Sequence, residues 1–146
     1  MSINILPGID STSSALAAER IRMEVISQNI VNANTSRGLD GKPYQRQHVV
    51  FESVLGKEMD EGSGMGGTRA SMVKVSRIEK ENRPPRMIYN PGDPNAGDDG
   101  MVAMPDINIH EEMADLIASS RSFEANLAVV KNSRQLAIQT LSIGRR

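Results

Sequence analysis

The residues of this chain that could take part in chemistry lie mainly in one acidic turn. Asp93, Asn95, Asp98 and Asp99 are spaced like the start of a calcium-binding loop. Such a loop requires glycine where this chain has Asp98, and its twelfth position is a glutamate where this chain has Met104. We therefore interpret the stretch as a solvated turn rather than as a metal site.

Other candidates for chemistry are isolated in the sequence. The glycine-rich run 62–67 lacks the lysine, the preceding strand and the following helix of a phosphate-binding loop, which favours a linker. His48 and His110 each lack the further ligands of a zinc site, and no nucleophile elbow or zincin motif occurs. The sequence therefore predicts no catalytic residue, no cofactor and no metal. A hydrolase or metal-binding protein that uses the acidic turn stays the least favoured hypothesis.

Composition narrows the class of protein further. Only 38% of the 146 residues are hydrophobic, and there are two Phe, two Tyr and no Trp. Such a chain has little material for a dense core, which favours burial against partners. The net charge of −1 is not gathered into a basic tail, so nothing indicates nucleic acid or an anionic membrane as a partner. The absence of cysteine excludes a disulfide framework and a thiolate metal site.

Patterns for membrane insertion and for secretion are also missing. No run approaches the roughly 18 apolar residues that a membrane span needs. The first residues, MSINILPGIDS, lack the basic region and the apolar region of a signal peptide. Taken alone, these features predict a cytoplasmic protein, with dedicated export that uses no cleaved signal as the alternative.

The strongest periodic pattern lies in residues 106–146. Ten positions alternate in steps of four and three, and eight of them are apolar, which predicts one long helix with a coiled-coil seam. These positions are Ile109, Met113, Leu116, Ser120, Phe123, Leu127, Val130, Arg134, Ala137 and Leu141. Asn108 is predicted to cap the start of the helix, and Gly144 to adopt a left-handed conformation at its end. A second, weaker stripe repeats this spacing on another face, and five of its eight positions are apolar: Ala118, Ser122, Ala125, Val129, Asn132, Leu136, Gln139 and Ile143.

A second helix is predicted near the beginning of the chain, from about Ser11 to Ala33, after a break at Pro7 and Gly8. Its seam consists of apolar residues at helical spacing: Ile9, Leu16, Met23, Ile26, Ile30 and Ala33. A second strip lies on the opposite side: Ala17, Ala18, Ile21 and Val25. Helices with two apolar stripes need more than one partner, so we expect each to keep one stripe exposed when the two pair. The alternative is a single wide stripe that faces the core of a globular bundle.

The first helix ends in a polar cluster that contains Asn29, Asn32 and Asn34. Asparagine side chains bond back to the backbone, so a helix cap and an exit loop are the plain interpretation. Residues 37–105 then hold most of the chain's glycines and prolines, with short strand-like runs around Val49, Val73 and Ile88. The predicted fold class is mainly α with a small β-rich insert. Residues 1–36 and 106–146 form one helical domain, and 37–105 a loop-rich, partly disordered β module.

Several motifs resemble a known family. The runs SALAAE at 14–19 and ISQNIVNANT at 26–35 resemble the N-terminal signature of the bacterial flagellar axial proteins of rod and hook, and EMADLI at 112–117 and RSFEAN at 121–126 resemble their C-terminal signature. The runs YNPGDPNA, GMV and PDIN between residues 89 and 108 narrow the resemblance to short proteins of the proximal rod. Residues 52–83 match this pattern poorly.

The resemblance implies a structural subunit of the flagellar basal body, without catalysis. It implies export by the flagellar type III apparatus without a cleaved signal, and assembly with other rod proteins, with copies of the same chain and with neighbouring ring or base proteins. The rod would span the periplasm and transmit motor torque, with the terminal helices as an inner tube domain and the middle segment as an outer lobe. Nucleic acids and small-molecule substrates are not implied.

The residues expected at the helix-packing and assembly interfaces are Leu16, Met23, Ile26, Asn29, Ile30, Asn32, Asn34, Met113, Leu116, Phe123, Asn126, Leu127, Val130 and Leu141. With the resemblance, the asparagines become candidates for specific contacts rather than caps alone. The alternative function is a coiled-coil adaptor that folds as a discrete dimer. An adaptor should be helical and cooperatively folded in isolation, whereas the ends of an exported subunit should become ordered on assembly.

Overall fold

The computed structural model describes residues 7–38, 40–55 and 71–144. Within these residues, two terminal helices flank four strands in the sequence, which confirms the predicted fold class. In chain order the elements are α1 Pro7–Val31, β1 Gln47–Leu55, β2 Ser71–Lys80, β3 Arg86–Tyr89, β4 Met101–Met104 and α2 Ile109–Ile143. The glycine-rich run 62–67, which we interpreted as a linker, lies outside the described residues.

Helix α1 begins at Pro7, four residues before the predicted start. The prediction of a break at Pro7 was wrong because proline suits the first position of a helix, where its fixed φ is already helical and no N–H is required. At the other end, the Asn32 side chain donates to the carbonyl of Gln28 at 2.8 Å. Asn32 therefore closes the helix locally, as the capping interpretation predicted.

Helix α2 begins as predicted and ends differently. Asn108 is its N-cap, and the Asn108 side chain accepts from the backbone N–H of His110 at 3.1 Å. Gly144 has a φ of −69°, in the right-handed region, so the predicted left-handed cap was wrong. The N–H of Gly144 donates to Thr140 O at 3.1 Å, which continues the helical hydrogen bonding instead of reversing the chain.

The two helices run antiparallel. Asn29, near the end of α1, bonds to Glu112 in the first turn of α2, and Glu19, in the middle of α1, bonds to Ser119. Both helices rise by the same distance per residue, so Pro7, twelve residues before Glu19, lies opposite roughly residue 131, twelve residues after Ser119. The last dozen or so residues of α2 therefore extend past the first described residue of α1.

A hairpin of β1 and β2 covers part of α1. The strands pair antiparallel with a bulge between Val50 and Phe51. The N–H of Val73 in β2 donates to the Ser14 hydroxyl of α1 at 3.2 Å. The hairpin therefore lies along the first helix, which gives that helix a second intrachain partner besides α2.

A second hairpin joins β3 to β4, with Tyr89 paired to Met101. Gly100 in its turn has a φ of +76°, and a Cβ there would lie 2.8 Å from Cε2 of Tyr89, so the turn requires glycine. The Asn95 side chain donates to the Ser36 hydroxyl at 3.2 Å. This bond ties the turn to the chain that leaves α1.

The apolar core is thin. Within the part of the chain that the structure describes, the fully buried hydrophobic residues are Ala18, Val25, Ile26, Ala33 and Val102. Neither of the helices described there is long and apolar enough to cross a membrane. Much of the cohesion must come from elsewhere, and the largest fully buried side chains are polar: Glu112, Asn29 and Ser119.

Candidate functional site

Three segments that are distant in sequence meet at Asn29, whose residue surface is 1% exposed. The Nδ2 of Asn29 donates to Gln47 O at 2.8 Å and to Oε2 of Glu112 at 3.0 Å. Its Oδ1 accepts from Gln47 N at 2.9 Å and from the Tyr44 hydroxyl at 3.0 Å. The buried amide is therefore satisfied on both its donor and its acceptor side.

The pairing between Asn29 and Gln47 imitates a β ladder. The side-chain amide bonds to both the N–H and the C=O of Gln47, the first residue of β1. An aspartate at position 29 could not donate to the C=O of Gln47. An apolar residue there would leave both the N–H and the C=O of Gln47 without their partner on α1. Asn29 thus fixes where β1 starts relative to α1.

Arg46 extends this contact to α2 and to the end of the first hairpin. Its Nε donates to Oε1 of Glu112 at 2.6 Å, and Glu112 is 1% exposed. Its guanidinium also donates to Glu81 at 3.2 Å and lies 3.8 Å from the carboxylate of Asp115. A buried carboxylate is tolerated only with such partners, so each of these residues depends on the others.

The charges within the site shift the ionisation of its members. Burial acts to lower the pKa of Arg46, but its hydrogen bond to Glu112 and the charges of Glu112 and Glu81 together raise that pKa above its usual value. Burial, and then the nearby charge of Glu112, raise the pKa of Tyr44. Burial acts to raise the pKa of Glu81, but the bonds and charges of Arg46 and Arg83 outweigh it and lower that pKa. We call Asn29, Tyr44, Arg46, Glu81 and Glu112 the polar junction.

The contact face of α2 differs from the predicted seam at alternate positions. Four residues belong both to the predicted seam and to the observed contact face: Leu116, Phe123, Val130 and Ala137. The interleaved positions lie one residue earlier than predicted and are polar: Glu112, Ser119, Asn126 and Ser133.

Predicted seam residues that lie between these positions are left largely outside the contact. Met113 is 51% exposed and Leu127 is 37% exposed. Leu141 is 74% exposed because it lies beyond the start of α1. Periodicity favoured apolar side chains at these positions, whereas the fold places polar ones there, of which Glu112 and Ser119 bond to α1.

On α1 this chain covers the first stripe and all of the second strip except Ala17, which is exposed. Ile26 is buried, and Leu16, Met23 and Ile30 are half-buried. Met23 lines a groove together with Leu116 of α2. In the second strip Ala18 and Val25 are buried, and Val25 shares another groove with Val49 and Phe51 of β1. The expectation of an exposed second stripe on α1 was wrong because the hairpin covers most of it.

On α2 the second stripe is exposed along its whole length. Its three large apolar residues, Val129, Leu136 and Ile143, are seven residues apart and are all more than half exposed. The asparagines separate into different environments: Asn29 is buried, Asn126 is half-buried between the helices, and Asn34 is exposed. Their role in assembly stays a prediction.

The sequence pattern singled out Asn29 but missed Tyr44, Arg46 and Glu81. These residues lie in loops or at a strand end, where no periodicity marks them. The available signal was Glu112, because it lies four residues before Leu116 and in phase with Phe123, on the face that α2 buries. A carboxylate at such a position requires a cation or a donor from elsewhere in the chain.

Comparison with known proteins gives matches at both ends and over nearly the full length. Residues 9–37 match the family model "Flagella basal body rod protein", and residues 98–143 match "Flagellar basal body rod FlgEFG protein C-terminal". The chain is 36% identical to the flagellar basal-body rod protein FlgC of Borreliella burgdorferi, over 97% of this chain and 98% of that protein. It is 35% identical to the FlgC of Bacillus subtilis, over 94% and 96%, and 34% identical to that of Salmonella typhimurium, over 92% and 94%.

Proposed function

The chain belongs to the flagellar basal-body rod protein family, and we propose that it is a structural subunit of the flagellar rod. The observation that carries the proposal is the similarity over nearly the whole length to several FlgC proteins. The function is structural and includes no catalytic step. Its location is the flagellar basal body.

The exposed surface of α2 supports an assembling subunit. Beyond the overlap with α1, four large apolar residues of α2 are more than half exposed: Leu136, Ile138, Leu141 and Ile143. An isolated chain that leaves this segment exposed therefore has a surface for neighbouring subunits.

We further propose how the subunit is placed in the rod. Residues 1–36 and 106–146 would form the inner tube, in contact with other rod proteins and with copies of the chain, and residues 37–105 would form an outer lobe. Contacts between unlike faces of neighbouring subunits need not close and can generate a helical shaft. Export by the type III apparatus without a cleaved signal, passage through the periplasm, contact with ring or base proteins, and torque transmission belong to the same proposal.

The test is complementation of a flagellated bacterium that lacks its own FlgC. We expect Leu136→Asp to abolish swimming and rod assembly because a charge would enter an apolar interface between subunits. The isolated variant should keep the stability of the parent, since Leu136 is 63% exposed in the single chain.

Gln139→Asp is the matched control, because Gln139 belongs to the same exposed stripe and is already polar. It should leave rods and swimming intact. Normal swimming with Leu136→Asp would contradict the proposed interface, whereas failure of the unmodified chain to complement would argue against the rod function itself.

A further inference from the structure

The seam between α1 and α2 alternates strictly between apolar and polar positions. On α2 the apolar positions Leu116, Phe123, Val130 and Ala137 recur every seven residues, and so do the polar positions. The polar positions are Glu112, Ser119, Asn126 and Ser133. The first two are buried and bond to α1, Glu112 to Asn29 at 3.0 Å and Ser119 to Glu19 at 2.5 Å.

The apolar positions alone cannot determine how far the helices slide along each other. Apolar burial is non-directional, and a slip of seven residues, about 10 Å along the axis, would again place an apolar side chain opposite the same part of α1. The polar positions are not equivalent, because Glu112 carries a charge whereas Ser119, Asn126 and Ser133 are neutral. They therefore distinguish the registers that the apolar positions leave equivalent.

A slip in one direction brings like charges together. It would place Glu112 where Ser119 now lies, opposite Glu19. Two carboxylates would then face each other between the helices, and Glu112 would lose both Arg46 and Asn29. Such a register is strongly disfavoured because a buried charge without its partner is costly.

A slip in the other direction separates a charge pair. It would place Ser119 opposite Asn29 and Asn126 opposite Glu19, which are acceptable polar neighbours. Arg46, however, reaches the seam from the loop before β1 and would meet a serine in place of Glu112. This register is disfavoured because the Arg46 guanidinium loses its closest carboxylate.

We infer that Glu19, Asn29, Arg46 and Glu112 determine the register in which the two terminal helices pair. Both directions of slip separate Arg46 from Glu112, and one of them also brings Glu112 against Glu19. The inference concerns the fold of the single chain and does not rest on its function in the rod.

Crosslinking can measure the register, because the chain has no cysteine of its own. Met23→Cys is combined with Leu116→Cys to report the observed register, since these side chains line one groove. Met23→Cys with Phe123→Cys or with Ile109→Cys reports the slips in the two directions. A bifunctional thiol reagent shorter than about 10 Å separates the three registers. In the parent full-length chain we expect only the 23–116 product.

The decisive variant moves the carboxylate by one repeat, Glu112→Ser with Ser119→Glu. In the observed register the carboxylate at position 119 now faces Glu19, and in the slipped register it faces Asn29 and Arg46. We expect the ratio of 23–116 to 23–123 product to fall at least about tenfold relative to the parent. The matched control, Glu112→Ser with Ser122→Glu, has the same composition but places the carboxylate on the exposed face of α2.

The control should not exceed Glu112→Ser alone in 23–123 product. If circular dichroism shows that the double variant is unfolded, the single variant Glu112→Ser tests the inference instead. It should yield more 23–123 product than the parent. An unchanged ratio in the folded double variant, or in Glu112→Ser where that variant decides, would overturn the inference. Equal yields of the three products in the parent would also overturn it.

Discussion

Asn29 and Arg46 depend on each other because they bind neighbouring groups of the same junction. Asn29 fixes the start of β1 through Gln47, and Arg46, one residue earlier, carries the charge that Glu112 needs. Hydrogen bonds to charged groups contribute more than neutral ones, and removal of one partner from a buried pair costs more than the pair itself contributes. A single substitution that removes one charged partner should therefore destabilise the chain more than a double substitution that removes both.

Arg46→Met should lower the free energy of unfolding by about 3 kcal/mol, the lower end for a broken buried pair, because Arg46 is 26% exposed. Urea unfolding of the full chain followed by circular dichroism measures the loss. The control is Arg83→Met, whose side chain is 52% exposed and whose ion pairs with Glu81 and Asp106 should therefore contribute under about 1 kcal/mol. The double variant Arg46→Met with Glu112→Met should recover part of the loss. Equal effects of Arg46→Met and Arg83→Met would contradict the junction's role.

Tyr44 offers an optical probe of the junction. The chain has two tyrosines, so in Tyr89→Phe the absorbance of tyrosinate reports Tyr44 alone. We expect an apparent pKa above the usual 10.0, because burial and then the charge of Glu112 oppose ionisation. Unfolding in urea should return the pKa to its usual value, and a titration that is identical in the folded and unfolded chain would refute the burial of Tyr44.

The same shift predicts how stability changes with alkaline pH. Since the folded-state pKa is raised, the contribution of Tyr44 is fully present below pH 10 and is lost as pH rises through the folded pKa. The difference in unfolding free energy between the parent and Tyr44→Phe should therefore shrink above pH 10.

Only part of the junction was visible in the sequence. Asn29 stood in a polar cluster at a helix end, where its type and position suggested a specific contact. Arg46 is 66 residues from Glu112 and 35 residues from Glu81 in sequence, and the chain must fold before their charges meet. Local patterns report what a helix or a strand does by itself, and the junction is formed between elements.

At the scale of elements, α1 and α2 use their apolar stripes differently. The sequence predicted two apolar stripes on each helix. On α1 the structure covers the first stripe and most of the second, because the β1–β2 hairpin lies on the second. The hairpin decides which stripe stays on the outer surface. Its strands pair between residues that are far apart in sequence, and the periodicity of a helix gives no information about that pairing. The stripe on α2 stays exposed, so we assign it to neighbouring subunits.

The β3–β4 hairpin depends on Gly100, whose positive φ and close contact with Tyr89 exclude a Cβ. Gly100→Ala should cost about 1–3 kcal/mol of local stability. Hydrogen exchange at the N–H of Asn90, which bonds to Gly100 O at 2.9 Å, should become faster. Gly92→Ala is the control, since the nearest atom to its Cβ would lie 3.8 Å away. If both variants exchange alike, the tight contact at Gly100 is not what stabilises the turn.

At the scale of the whole molecule, burial is unevenly distributed. The helices overlap around the polar junction, while the last dozen residues of α2 have their apolar side chains largely in solvent. Isolated helices of about that length are marginal in water. The chain therefore has one end that it stabilises itself and one that needs neighbours, as expected of a subunit whose folding is completed in the rod.

The purified chain at low micromolar concentration should show this division. We expect a monomer whose circular dichroism indicates less helix than the 25 and 35 residues of α1 and α2. Amide exchange should be fast in the last third of α2 and slowest near Asn29 and Glu112. The reason is that the first region lacks covering contacts and the second has fully bonded polar groups. A compact dimer that melts cooperatively, with α2 protected to its end, would instead support a self-contained coiled-coil adaptor. That result would mean that the exposed stripe of α2 pairs with one partner chain and is not shared among neighbours along a shaft.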